Sequence, residues 1–155
     1  MEIEYQIKPV HGDKKRYLDL LLTGDESEKM IDRYLPRADM YVMYISGIAA
    51  GVCAVTRESD SLVEIRNIAV RAEYRRMGLG HELLRFVEEH YSSCDLCLGT
   101  GETPSTLHFY NTAGYTYSHS IKNFFIDNYD HAIIEEGVRL TDMIYLKKAR
   151  RHKNM

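Results

Sequence analysis

Glu64-Ile65-Arg66-Asn67-Ile68-Ala69-Val70-Arg71-Ala72-Glu73-Tyr74-Arg75-Arg76-Met77-Gly78-Leu79-Gly80 is the stretch on which the reading of this chain turns. Its first half continues a strand predicted over 61–70, in which Val63, Ile65, Ile68 and Val70 supply β-branched apolar side chains. Its second half leads into an amphipathic helix. Leu79, Leu83, Phe86, Val87 and Tyr91 trace one face of it, while Glu82, Arg85, Glu88 and Glu89 take the other. Between the two, Gly78 and Gly80 let backbone approach a ligand closely, and a helix start leaves unpaired N–H groups pointing outward. Such a turn suits a pyrophosphate, and Arg75 and Arg76 add positive charge beside it. Two glycines at a helix start also serve simply to shape a tight turn. No Lys-Ser/Thr pair follows the last glycine, as a P-loop requires, and the dinucleotide fingerprint places its glycines earlier.

Upstream, Ile3, Tyr5 and Ile7 alternate with polar residues as a half-buried strand does, and Pro9 and Gly12 end it. Helices are predicted from Asp13 to Leu22 and from Glu28 to Leu35, stopped by Gly24 and Pro36. Met40 to Ile45 and Ile48 to Thr56 form a hairpin around Ser46-Gly47. Downstream, Asp95 to Leu98 is a short strand, Thr103-Pro104 opens a helix that Gly114 closes, and 115–127 and 140–147 are predicted as strands. Interleaved helices and strands indicate one α/β or α+β domain with a sheet of mixed direction. The domain is expected to span 1–146, followed by a basic frayed tail over 147–155.

The chain has 155 residues, 45% of them hydrophobic and 28% charged, which suits a single folded unit with one core. No apolar run is long enough to cross a bilayer, and the first ten residues carry charges where a signal peptide would be apolar, so no membrane partner and a cytoplasmic location are expected. A net charge of −3 argues against nucleic acid as a partner, the Lys/Arg run being confined to the C-terminus. The three cysteines do not form a disulfide framework. Cys94 and Cys97 have half the spacing of a zinc site with no second half nearby, and no His/Cys set with metal spacing occurs; no metal is expected.

The quoted stretch resembles motif A of the GNAT acetyltransferases. Leu107-His108-Phe109-Tyr110-Asn111-Thr112-Ala113-Gly114-Tyr115 is similar to the family's motif B, an aromatic-Tyr pair followed by Gly and an aromatic. The resemblance covers about 40–115. It implies the GNAT fold, a mixed, mostly antiparallel sheet splayed in the middle and flanked by helices, with acetyl-CoA as co-substrate in the split. The strand end Ile68-Ala69-Val70 would bond the pantetheine through its backbone, the amide near Ile68 polarising the thioester carbonyl. Arg75, Arg76, Met77, Gly78, Leu79 and Gly80 would receive the pyrophosphate. Glu64 stands where several members carry a general base, and Tyr110 matches a tyrosine that serves as general acid near the sulfur. Thr103-Pro104-Ser105 stands where many members have an Asn that reaches toward the pantetheine, and a hydroxyl of Thr103 or Ser105, or a water, would take its place.

Each of these also has a plain structural reading: Glu64 as the solvent-facing member of its strand, Tyr110 as a packing aromatic, Thr103 as a helix N-cap. The implied activity is transfer of acetyl to a primary amine of a small molecule or peptide in a ternary complex, no motif making Cys53, Cys94 or Cys97 a nucleophile. The alternative is a CoA-binding sensor without turnover, which needs neither Glu64 nor Tyr110. The acceptor pocket is expected between 23–39 and the strands after Gly114. Asp25, Glu26, Glu28 and Asp32 would attract a cationic acceptor there, or simply solvate a helix face. The last third is similar to that of a bacterial GNAT branch. Adjacent Phe124 and Phe125 on a strand would face opposite sides, which predicts a homodimer covering the second face.

Overall fold

The computed structural model describes residues 3–150. Strand β1 (Gln6–Pro9) is followed by a 3₁₀ turn at Lys14–Tyr17, helix α1 (Leu18–Gly24), helix α2 (Glu28–Asp32) and a second 3₁₀ turn at Leu35–Arg37. Then come β2 (Asp39–Ile45), β3 (Ile48–Ser59), β4 (Leu62–Val70), α3 (Leu79–His90), β5 (Asp95–Thr100) and α4 (Pro104–Thr112). The last third holds β6 (Thr116–Ile121), α5 (Phe124–Asn128), a two-stranded hairpin of β7 (Ile134–Glu135) and β8 (Val138–Arg139), and β9 (Met143–Lys148).

Seven strands form one sheet in the order β1-β2-β3-β4-β5-β9-β6, and every neighbouring pair is antiparallel except β4 with β5. One face carries α3 and α4 over a core that includes Tyr41, Cys53, Val63, Ile65, Leu83, Val87, Leu98 and Tyr115. The other carries α1 and α2 over Val42, Val52, Ala54 and Ala69. Strand β4 is divided between these layers by a bulge: Val55 faces Ile65 and Ala54 faces Asn67, leaving Arg66 as the extra residue. The bulge puts Arg66 and Asn67 successively on the α1 face. Arg66 Nε donates to the Thr56 hydroxyl at 2.9 Å, and Asn67 Nδ2 donates to the Leu21 carbonyl at 2.9 Å.

The split in the sheet is visible in the register. Strand β4 pairs with β3 as far as Val70, but with β5 only from Leu62 to Ile65, opposite Asp95 to Leu98. Beyond that point β5 belongs to β9 alone, and the edge of β4 from Arg66 to Val70 is open.

Two readings of the last third require correction. The segment 115–127 is a strand only as far as Ile121. Asn123 then turns into the left-handed region (φ 58°), its N–H taken by the Asp142 carboxylate at 2.9 Å, and Phe124 and Phe125 lie on α5. Phe125 is buried with Ile133 and Leu140 within the same chain, so the two phenylalanines do not face opposite sides of a strand. The homodimer inferred from them loses its basis. The second correction concerns the C-terminus. Strand β9 continues through Lys147 to Lys148, and the Arg150 guanidinium pairs with Asp95 at 3.1 Å, so the sheet runs past residue 146. Arg151 and Lys153 lie outside the described residues. Among the described residues no helix is long and apolar enough to cross a membrane.

Candidate active site

The open edge of β4 presents its backbone selectively. The Arg71 N–H donates to the Ala50 carbonyl at 2.8 Å, so by the alternation of an antiparallel ladder Asn67 and Ala69 also direct their polar groups to β3. Ile68 and Val70 direct theirs into the split. The Val70 carbonyl accepts a bond from Arg75 Nε at 3.2 Å, which agrees with that direction.

Past the strand, Arg76 (φ 65°) and Gly78 (φ 79°) adopt left-handed conformations, and Gly78 caps α3 without a side-chain bond. The N–H groups of Leu79, Gly80 and His81 are therefore free of capping side chains at the head of a twelve-residue helix. A Cβ at Gly80 would lie 3.2 Å from the ring of Phe109, so glycine there keeps the space between α3 and α4 open.

That space is a cleft of about 580 Å³ lined by Ile68, Ala69, Val70, Arg75, Arg76, Gly80 and Tyr110 among the predicted cofactor and catalytic residues, and also by Thr23, Ser105, Thr106 and Phe109. Four predicted residues are placed differently. Met77 and Gly78 are exposed and outside the lining, and the Leu79 side chain is in the core. Thr103 is fully buried behind α4. Its hydroxyl has no hydrogen-bond partner and does not cap the helix, so the N-cap reading of its side chain fails.

Tyr110 is buried against Phe109 and Tyr115, with ring centroids 4.9 Å and 5.9 Å away, and burial pushes its hydroxyl well above the ordinary phenol range. It remains protonated at neutral pH, the state a proton donor needs.

Glu64 is not solvent-facing: it is 8% exposed and points to the opposite face of the sheet, as its ion pair with Arg66 at 3.4 Å shows. Tyr145 on β9 donates to its Oε2 at 2.7 Å. Burial raises the carboxyl above its usual range, opposed in part by the Tyr145 bond and the Arg66 charge. Glu64 lines an inner chamber of about 150 Å³, shared with Asp25, Tyr34, Arg66, Tyr129 and Tyr145. An outer chamber of about 270 Å³ shares Asp25, Arg66, Gly99, Tyr129 and Met143 with it, and Thr23 lines both the outer chamber and the cleft. The chambers lie between 22–34 and 124–145, where the acceptor was expected. Of the acidic residues named for that entrance, Asp25 and Glu26 line a chamber, whereas Glu28 and Asp32 are held by Lys15 on the outer face at 2.5 Å and 2.7 Å.

The roof is tied by contacts between residues 25–33 and residues 128–131. Arg33 donates to Asn128 (2.9 Å), Tyr129 to Asp25 (2.9 Å), and His131 bridges Glu26 and Asp130 (2.6 Å each). A larger hollow of about 770 Å³ beside β1 holds none of the predicted site residues. The three cysteines are buried free thiols, and burial pushes Cys53 up to about 12 and Cys97 up to about 11, which leaves both poor nucleophiles. Among the described residues no group of three or more His, Cys, Asp or Glu side chains is placed to hold a metal ion.

Residues 36–117 match the family model described as the acetyltransferase (GNAT) domain. The uncharacterized N-acetyltransferase YvbK of Bacillus subtilis is 31% identical over 132 residues, 83% of this chain and 85% of that protein. Among solved structures, a GNAT family acetyltransferase from Elizabethkingia anophelis with acetyl-CoA bound superposes with a TM-score of 0.87 at 32% identity, over 94% of this chain and 97% of that one. A Bacillus subtilis acetyltransferase in complex with CoA gives a TM-score of 0.86 at 28% identity, over 94% and 99%. A strand that leaves its sheet neighbour halfway, a bare helix start at the end of that strand, and a domain-length match to these relatives converge on one assignment: the chain belongs to the GNAT acetyltransferases.

Proposed function

We propose that the protein moves acetyl from acetyl-CoA to a primary amine of a small molecule or peptide, by direct attack in a ternary complex. The observation that carries the reading is the open edge of β4, from Arg66 to Val70: the cleft at the bare start of α3 lies along its end, and the chamber lined by Glu64 and Arg66 lies at its beginning.

The residues present fit the cofactor. The N–H groups at Leu79, Gly80 and His81 and the charges of Arg75 and Arg76 suit a pyrophosphate. The backbone groups of Ile68 and Val70 suit an amide-bearing arm laid beside them like an extra strand. The space a Cβ at Gly80 would fill supports the same use of the cleft. Thr103, at the start of α4, holds a buried hydroxyl without a hydrogen-bond partner.

An amine attacks only when uncharged, so the acceptor must lose a proton before or during attack. Glu64 in its ionised form, largely buried beside Tyr145 and Arg66, takes that proton directly or through a water. Attack on the thioester carbonyl forms the C–N bond, a backbone N–H in the split steadies the developing oxyanion, and the C–S bond breaks. The departing thiolate receives the proton of Tyr110, whose hydroxyl lies on the cofactor side of the split. Base and acid thus serve the two faces of one opened sheet.

The test is thiol release from acetyl-CoA across a panel of amines, with calorimetry of CoA binding, on the native protein, Glu64→Gln and Tyr110→Phe. The expected result is a loss of about 10²–10⁴-fold in kcat/KM for Glu64→Gln, the range of general base catalysis, with CoA still bound. Failure to bind CoA overturns the reading of the cleft. Tight CoA binding with no amine turned over favours the sensor instead.

A further inference from the structure

The inner chamber contains a device that the two motifs do not account for. The Tyr145 hydroxyl and the Arg66 guanidinium both meet Glu64 on the same oxygen, Oε2, at 2.7 Å and 3.4 Å. The Tyr145 hydrogen bond thus occupies Oε2 and leaves Oε1 as the oxygen available to the chamber that Glu64 lines.

Tyr145 reaches this oxygen from two strands away. It stands on β9 opposite Gly99 of β5, while Glu64 on β4 stands opposite Cys97 of β5. Its side chain must therefore cross β5, and it crosses at the residue without a side chain. A Cβ at Gly99 would lie 3.0 Å from Tyr145 Cε2 and would overlap Met143 Sδ. On its far side the Tyr145 ring is backed by the His119 ring, parallel to within 7° at 4.7 Å. Gly99 opens the passage, and His119 fixes the plane of the ring that uses it.

We propose that Tyr145 is a positioning residue for the acceptor-activating carboxylate, holding Oε2 so that Oε1 faces the incoming amine, and that Gly99 is a glycine to let it do so. The proposal rests on Glu64 being the base. Other groups facing Glu64 are Arg66 on its own strand, Glu58 of β3 with Arg37 behind it, and Cys97 of β5. Across the chamber stand Asp25, Arg33, Tyr34 and Tyr129. Tyr145 is distinguished from these by donating a hydrogen bond directly to the carboxylate. A donor to a carboxylate favours its ionised form, so removing the hydroxyl makes Glu64 harder to ionise.

The experiment is the pH profile of kcat/KM for Tyr145→Phe, with thiol release read against whichever amine the native protein turns over. The acid limb is expected to move up by about one pH unit, the size of one lost hydrogen bond to a charged group, while the KM for acetyl-CoA is unchanged. Gly99→Ala is expected to give the same shift, and the double variant no further shift. Should Gly99→Ala not fold, Tyr145→Phe alone decides. An acid limb unmoved in a folded Tyr145→Phe protein overturns the proposal. Full activity in Glu64→Gln overturns the base assignment instead, so the two failures are told apart.

Discussion

Gly24→Ala sets two physical effects against each other. Gly24 is the last residue of α1, and replacing a helical glycine with alanine ordinarily gains about 0.5–1 kcal/mol. Here a Cβ would overlap the Asn67 side-chain oxygen and lie 3.0 Å from its Cγ. Asn67 cannot yield cheaply. It is 4% exposed, and its Nδ2 donates to the Leu21 carbonyl at 2.9 Å and to the Tyr34 hydroxyl at 3.1 Å. Swinging the amide aside strands buried polar groups at about 1–3 kcal/mol each, which exceeds the propensity gain. The expected net loss is about 1–3 kcal/mol, or a fall in Tm of about 2–12 °C for a domain of this size. Thermal and urea unfolding of Gly24→Ala, Asn67→Ala and the double variant measure it. The double variant is expected to be more stable than the sum of the singles, because the methyl then has room. A Gly24→Ala protein as stable as the native one would refute the reasoning.

Tyr115→Phe removes the hydroxyl that donates to Glu88 Oε2 at 3.0 Å inside the core, where Lys148 meets the other oxygen at 3.2 Å; urea unfolding is expected to show a loss of about 1–3 kcal/mol. The bridge of His131 to Glu26 and Asp130 raises the imidazole above its ordinary 6.5, so its contribution is complete below that value and is lost as pH rises through the folded-state value. An NMR titration of His131 is expected to give a midpoint above 6.5, returning toward it in Glu26→Gln, and a midpoint at or below 6.5 in the native protein would show that the roof is not tied this way.

The parts of the fold that were legible in the sequence are those set by local pattern. The Ser46-Gly47 hairpin, the apolar stripe of α3 and the strand-loop-helix around Gly78 each declare themselves within a dozen residues. Phe124 and Phe125 misled because two aromatics in a polar stretch have strand propensity, whereas α5 is held by contacts distant in sequence: the Phe125 N–H bonds the Thr141 carbonyl and the Asn123 N–H bonds Asp142. The same limit governs the site. Gly80 follows from a motif, and the open edge of β4, Glu64 and Tyr110 from resemblance. Tyr145, Gly99 and Asn67 do their work through partners 81, 46 and 46 residues away, in register relations that no local spacing encodes.

The open edge of β4 also bears on how such a domain diversifies. In the proposed arrangement that strand reads its cofactor with main-chain atoms at Ile68 and Val70, which every residue other than proline supplies in the same form. Its side chains are thereby released from cofactor recognition and answer only to packing on one face and to the acceptor on the other. A lineage is then free to exchange Glu64 and the walls of its chamber for a new amine while the grip on the acyl donor stays as it was. Substrate range can drift along this strand without the cofactor's consent being asked.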